Sequence, residues 1–83
     1  MPRYLDVHKH VPGVTKKAVA EAHAKDLAVQ GKYGVNYVKY WVDEKSEKVF
    51  CLVDAPNKAA AERVHKEAHG LVADELNEVT EGT

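Results

Sequence analysis

The chain begins with a short segment, Arg3 to Lys9, in which apolar and polar positions alternate. Leu5 and Val7 lie on one side of it. Tyr4, Asp6 and His8, which are polar or aromatic, lie on the other side. A period of two is typical of a half-buried strand, and the apolar side of such a strand is expected to face the core. Pro12 and Gly13 then interrupt the pattern, so the strand is predicted to end before them.

Two longer segments have the period of an amphipathic helix. Thr15 is suited to cap the first helix, which is predicted to run to about Gln30. Its inner stripe is expected to contain five residues: Val19, Ala20, His23, Ala24 and Leu27. Asn57 is suited to cap the second helix, from Lys58 to His69, and Gly70 suits its end. The second stripe is expected to contain four residues: Ala60, Ala61, Val64 and Ala68.

Three further segments are predicted to be strands. Val35 to Asp43 is rich in β-branched and aromatic residues, and Lys48 to Asp54 is a nearly continuous apolar run that favours an interior strand. A short last strand is predicted from Glu75 to Val79. The resulting order, βαββαβ, is that of the ferredoxin-like split βαβ arrangement. An antiparallel sheet with strand order 4-1-3-2 would then carry both helices on one face.

This α+β fold is expected to form one domain over residues 1–83 and to leave the other sheet face open. The predicted alternation places six residues on that open face: Tyr4, Asp6, His8, Tyr37, Lys39 and Trp41. Polar and aromatic residues of this kind suit a dimer interface or a ligand pocket. A chain of 83 residues builds only a small core, so we also expect self-association.

Composition narrows the range of partners. The net charge is −1 with a pI near 6.5, and the basic residues are scattered, which argues against nucleic acid and a membrane surface. The stretch MPRYLDV has no long apolar run, so neither a signal peptide nor a membrane span is expected there. Cys51 is the one cysteine, which rules out an internal disulfide and favours a reducing cytoplasm. In its apolar strand we expect Cys51 to be buried and inert.

The five histidines are the most distinctive chemistry of the chain. In a βαββαβ fold the first strand and the second helix finish at the same end of the sheet, so four histidines are expected to converge there: His8, His10, His65 and His69. Glu62 precedes His65 by three positions, a spacing found in carboxylate–histidine metal sites. Imidazole suits nickel, zinc, copper and iron, and added carboxylates suit octahedral Ni(II). The pattern therefore predicts metal ligands among these four histidines and Glu62. They form one site if His8 faces the second helix, and the two pairs form separate sites if it faces away across the sheet.

Each histidine also has an ordinary structural interpretation. His65 and His69 could lie on a solvated helix flank, and a cationic His69 would favour the C-terminal end of a helix. His8 and His10 could be a strand residue on the open face and a turn residue. His23 lies within an apolar stripe, so we expect it to be a core histidine. Spacing alone leaves both interpretations open.

Four stretches together match a known pattern: YLDVHKHVPGVT, AVAEAHAKDLAVQGKYGVNYVKYWVDE, KVFCLVDAPNKAAAERVHKEAHGLVADEL and NEVTEG. From Tyr4 to Gly82 the chain resembles a family of short bacterial nickel-binding proteins with a ferredoxin-like fold and otherwise unknown function. VFCLVDAP and VHKEAHGL are the most specific parts of the match. The resemblance implies a homodimer that binds nickel and sequesters or buffers it rather than catalysing a reaction.

Two other hypotheses remain beside metal binding. One is an enzyme or small-molecule binder in a dimeric α+β barrel, with His8 as general base in a pocket on the open face. That pocket would be lined by four residues: Asp6, His8, Tyr37 and Trp41. The other is an interaction module that uses the same face for a protein partner. Further catalytic patterns are weak, because the chain has no glycine-rich phosphate loop and no serine suited to a Ser-His-Asp triad.

Overall fold

The computed structural model describes residues 1–82 and contains four strands and two helices in the predicted order. The strands are β1 (Arg3–His8), β2 (Asn36–Asp43), β3 (Lys48–Asp54) and β4 (Glu75–Glu78). The helices are α1 (Lys16–Val29), which continues into a 3-10 turn at Gln30–Tyr33, and α2 (Lys58–Ala68). Each boundary lies within one residue of the predicted one, because the caps and breaking residues are strong local signals.

The four strands form one antiparallel sheet in the order β2-β3-β1-β4. This confirms the ferredoxin-like topology and the predicted strand order. β1 pairs with β3 along its whole length, from Arg3 opposite Asp54 to His8 opposite Val49. The pairing of β2 with β3 shifts between Tyr37 and Lys39. This irregularity puts Tyr37 and Lys39 on opposite sides of the sheet although they are two positions apart.

The helix ends follow from the local sequence. The side chain of Thr15 accepts a hydrogen bond from the Ala18 N–H at 3.1 Å, and that of Asn57 accepts one from the Ala60 N–H at 2.9 Å. Both predicted caps are therefore confirmed. After α2, Gly70 adopts a φ of 79°, a conformation that favours glycine.

The side of β1 that faces the helices is the opposite of the predicted one. Three residues of β1 are buried on the helix side: Tyr4, Asp6 and His8. Leu5 and Val7 are only half-buried and lie on the open face. Tyr37 is buried as well, so only Lys39 and Trp41 of the predicted set lie on that face. The prediction was wrong because Asp6 and Tyr37 find hydrogen-bond partners on α2, which removes much of the cost of burying them.

The inner stripe of α1 also differs from the predicted one. It consists of Val19, Ala22, His23, Asp26 and Val29, which are buried or half-buried. Ala20, Ala24 and Leu27 are exposed instead. The helix is turned so that Asp26 reaches two histidines of α2, and this turn carries Leu27 outward. The stripe of α2 is confirmed, with His65 buried beside it.

Candidate metal centre

His65 of α2 is buried, with 2% of its surface exposed, and both of its ring nitrogens are hydrogen-bonded. Nδ1 donates to Asp26 Oδ1 of α1 at 2.9 Å, and Nε2 donates to Asp6 Oδ2 of β1 at 2.9 Å. A carboxylate can only accept, so both nitrogens carry a proton. His65 is therefore an imidazolium between two carboxylates, and it joins three elements that are far apart in the sequence.

The contacts among these three groups outweigh the effect of burial on their ionisation. Burial alone would lower the pKa of His65, but its hydrogen bonds to Asp26 and Asp6 raise that pKa to about 9. Burial alone would raise the pKa of Asp6, but the hydrogen bond from His65 and the proximity of His8 lower it to about 2. The pKa of Asp26 is lowered in the same way, against burial, by His65 and His69. At neutral pH a protonated His65 therefore lies between two ionised carboxylates, those of Asp6 and Asp26.

His8 and Cys51 complete a first group of donor atoms around Asp6. The donor atoms of Asp6, His8, Cys51 and His65 all lie within 4.8 Å of one another, and all four residues are buried. His8 Nε2 is 3.4 Å from Asp6 Oδ1, an electrostatic contact rather than a well-formed hydrogen bond. Across residues 1–82, Oδ1 of Asp6 therefore has no hydrogen-bond donor. Burial raises the pKa of the Cys51 thiol, so without a metal this sulfur keeps its proton at neutral pH.

A second group lies on the other side of the His65 ring. Asp26, His65 and His69 have donor atoms within 4.8 Å of one another. His69 Nδ1 accepts a hydrogen bond from the Leu71 N–H at 3.1 Å, and His69 Nε2 lies 3.1 Å from Asp26 Oδ1. Because Nδ1 uses its lone pair, the proton of this ring is on Nε2, the nitrogen that lies beside Asp26.

Three of the five predicted metal ligands come together in these groups: His8, His65 and His69. His10 and Glu62 are exposed and belong to neither group, so the placement of donor atoms gives no support to them as ligands. His23 is half-buried against Tyr40, with ring centroids 4.8 Å apart.

Sequence reasoning did not assign Asp6, Asp26 or Cys51 to a metal site. One signal for Asp6 was available, since it lies two positions before His8 and so shares its side of the strand. Asp26 carried no comparable signal, because a helical aspartate is usually exposed. Cys51 is buried, as expected, but its neighbours are ionisable.

The first group fits a transition metal better than the second. Ligand atoms about 2.0–2.3 Å from one ion lie at most about 4.6 Å apart, so only a small contraction is needed. If His65 releases its Nε2 proton, its Nδ1–H still donates to Asp26, the carboxylate–histidine arrangement common behind metal ligands. In the second group, ligation through Nε2 of His69 would require its proton to move to Nδ1, which would break the bond from Leu71.

Most of the residues predicted to line a pocket on the open face do not lie on that face. Asp6, His8 and Tyr37 all lie on the helix side, and only Trp41 remains on the open face. That placement was therefore wrong. A cavity of about 170 Å³ lies on the helix side instead, next to the histidine cluster.

The fold and the cluster together define a small ferredoxin-like protein with a buried histidine–carboxylate centre on its helix-covered sheet face. The chain belongs to the family of SCO4226-like nickel responsive proteins, whose sequence profile matches residues 4–79. This confirms the family expected from the sequence. Among solved structures, the chain is similar to the crystal structure of SCO4226 from Streptomyces coelicolor A3(2). The TM-score is 0.90 and the sequence identity 36%, over 98% of this chain and 99% of that one.

No curated protein shows a significant match to the chain. In the described part of the chain, neither helix combines the length and apolar character that crossing a membrane requires.

Proposed function

We propose that this protein is a cytoplasmic, homodimeric nickel-binding protein that sequesters or buffers Ni(II) at Asp6, His8, Cys51 and His65. The observation that carries this is the first donor group, in which four buried side chains bring nitrogen, oxygen and sulfur within 4.8 Å of one another. Imidazole and thiolate are good ligands for late first-row metals. Nickel is favoured among these metals by the family to which the chain belongs.

Asp26 acts in this proposal as a positioning residue. By accepting the Nδ1–H of His65 at 2.9 Å, it leaves Nε2 directed at Asp6, His8 and Cys51. A histidine ligand needs this kind of partner to hold its tautomer and ring orientation. His69 supports the same Asp26 oxygen from the end of α2.

Protons compete with the metal for this centre. Ligation through Nε2 requires His65 to lose a proton, and with a pKa of about 9 this costs roughly 3 kcal/mol at pH 7. Cys51 must lose its proton too, because the thiolate is the ligand. Two protons should therefore leave for each Ni(II) bound. The apparent affinity should rise by about a hundredfold per pH unit between pH 6 and pH 8.

Calorimetric titration of metal-free protein with Ni(II) tests the proposal, and buffers of different ionisation enthalpy count the released protons. The two isosteric replacements Cys51→Ser and His8→Gln should each weaken binding by at least about tenfold. Cys51→Ser should also remove the thiolate-to-nickel absorption band. His10→Ala is the matched control, because it removes an exposed histidine near the same strand end and should leave binding unchanged. The buried centre is ruled out if His10→Ala weakens binding and the other two variants do not.

The homodimer is proposed to form through the open sheet face. Five apolar residues lie there, each half-buried or exposed: Leu5, Val7, Trp41, Phe50 and Leu52. They are neighbours across the strands, since Phe50 lies opposite both Val7 and Trp41. Trp41 is 49% exposed, and a tryptophan in an apolar patch is a typical centre of an interface.

Sedimentation velocity of two variants tests this interface. Trp41→Glu should give a monomer, because it places a charge at the centre of the patch. Leu27→Glu, at a residue that is 45% exposed on the outer side of α1, is the matched control and should remain dimeric. A dimer that survives Trp41→Glu but not Leu27→Glu would place the interface on the helices.

A further inference from the structure

The cavity of about 170 Å³ lies between α1, the loop before it and β3. Six aliphatic residues supply much of its wall: Val11, Val14, Val19, Ala22, Val49 and Leu71. Pro12, Gly13 and Leu71 at its edge are exposed, so the cavity can be reached from solvent. Leu71 in particular leaves 51% of its surface uncovered. An apolar cavity of about 150 Å³ is large enough to bind benzene, so this one has room for a single ring.

One end of the cavity is polar. Asp26 and His23 both line it and lie three positions apart on the same side of α1. Asp26 is only 2% exposed, and its contacts with His65 and His69 both end on Oδ1. Among residues 1–82, Oδ2 of Asp26 therefore has no protein donor. Oδ2 of Asp26 is not fully enclosed, so a molecule in the cavity can reach it and donate to an acceptor that has no protein partner.

We propose that this cavity binds a small, uncharged organic molecule with an aromatic or branched body and one hydroxyl group. The body would pack against the valines, and the hydroxyl would donate to Oδ2 of Asp26. A hydroxyl can also accept a hydrogen bond, which suits the neighbouring His23 ring because an imidazole always carries at least one N–H. Binding of this kind needs no metal, although His8 and Cys51 border both the cavity and the proposed nickel centre.

The charges around the polar end exclude the other simple classes of ligand. The Asp26 carboxylate lines the cavity and Asp6 lies beyond His65, so a ligand carboxylate or phosphate would place its oxygens against groups that can only accept. A hydrocarbon would fill the apolar part but leave Oδ2 of Asp26 without a donor.

Titration of the metal-free, ¹⁵N-labelled protein with p-cresol tests the proposal, with toluene as the matched ligand that lacks only the hydroxyl. We expect p-cresol to cause saturable amide shifts confined to Val14, Ala18–Ala22 and Leu71. Toluene should bind at the same place about tenfold more weakly, and p-hydroxybenzoate, which is anionic, should not bind. Equal affinities for p-cresol and toluene would overturn the role given to Asp26.

Two variants of α1, one inside the cavity and one on the exposed side of the helix, test where the ligand binds. Ala22→Met fills the cavity and should abolish the saturable shifts, whereas Ala24→Met adds the same atoms on the exposed side and should keep them. Intermolecular NOEs from the p-cresol methyl group to Val14, Val19 and Ala22 in the unmodified protein give the same answer even if Ala22→Met does not fold. NOEs to Trp41 or Phe50 instead, or shifts that Ala22→Met leaves intact, would overturn the proposal. Because no metal is present, none of these outcomes bears on nickel binding.

Discussion

The helix-covered face of the sheet buries ionisable side chains among the apolar core, whereas the uncovered face leaves a cluster of large apolar side chains half-buried or exposed. On the covered face, β1 places Asp6 and His8 in the interior. On the uncovered face, the same strand places Leu5 and Val7 where solvent still reaches them. The usual distribution is the reverse, since charged residues are almost never fully buried unless they are paired.

Pairing explains the difference between the two faces. Asp6 and Asp26 each lie 2.9 Å from a different nitrogen of His65, so each buried charge has a partner. A buried ion pair gives little net stability compared with an apolar core, because desolvation offsets the attraction. Such a cluster therefore suggests a role in binding, and the apolar residues left outside are free to drive association.

The largest expected effect comes from removing one charge on the covered face. Asp6→Ala would leave the Nε2 proton of His65 without an acceptor, and the free energy of unfolding should fall by about 3–5 kcal/mol. Asp6→Asn should cost less, since an amide oxygen can still accept. Lys39→Ala on the uncovered face should change stability by less than about 0.5 kcal/mol. Urea denaturation of the metal-free variants at pH 6 measures the three changes in the free energy of unfolding. Equal decreases for Asp6→Ala and Lys39→Ala would show that the two faces do not differ in this respect.

The pH dependence of stability sharpens the same comparison. The pKa of His65 rises from 6.5 to about 9 on folding, so its contribution is complete below pH 6.5 and is lost as the pH rises through 9. The pKa of Asp6 falls from 3.8 to about 2, so its contribution is present above pH 3.8 and is lost as the pH falls through 2. Metal-free protein should therefore be most stable between about pH 4 and pH 6.5, and it should lose roughly 3 kcal/mol at higher pH.

Thermal and urea denaturation in a chelator, from pH 4 to pH 10, measures this profile. His10→Ala should keep the profile, because that histidine is exposed and outside the cluster. Asp6→Asn should flatten the alkaline limb, because it removes one of the two carboxylates that hold the proton on His65. An alkaline limb unchanged by Asp6→Asn would mean that another group titrates there.

The fold could be predicted because its signals are local. The caps Thr15 and Asn57 mark the starts of the helices, and the alternation in β1 marks a strand with two different sides. Alternation does not say which side is covered, since a strand has the same period in either orientation. The deciding contact joins Asp6 to His65, 59 positions later, and no local pattern encodes it.

The site could be predicted only in part, for a related reason. Topology brings His8 and His65 to the same end of the sheet, so their convergence follows from the order of elements alone. The position of Asp26 depends on how far α1 is turned about its axis. A charged residue on the inner stripe of a helix can be recognised only once its partners on another helix are known.

The smallest expected effect comes from an ion pair on the uncovered face. Arg3 holds Asp54 with two hydrogen bonds, at 2.7 and 3.0 Å, but both side chains remain partly exposed. Solvent screens such a pair and its ordering costs side-chain entropy, so Arg3→Ala should lower the Tm by no more than a few degrees. The effect should shrink at high salt, whereas that of Asp6→Ala should not, because the buried pair is screened less.

A double-mutant cycle of Arg3→Ala and Asp54→Ala, at low and at high salt, measures the coupling of this pair. The cycle is best run with Trp41→Glu also present, so that a dimer formed through the same face does not contribute. Both kinds of pair start on β1 and both join opposite charges, so they differ mainly in their exposure to water. A coupling between Arg3 and Asp54 as large as that between Asp6 and His65 would show that burial is not what separates the two faces.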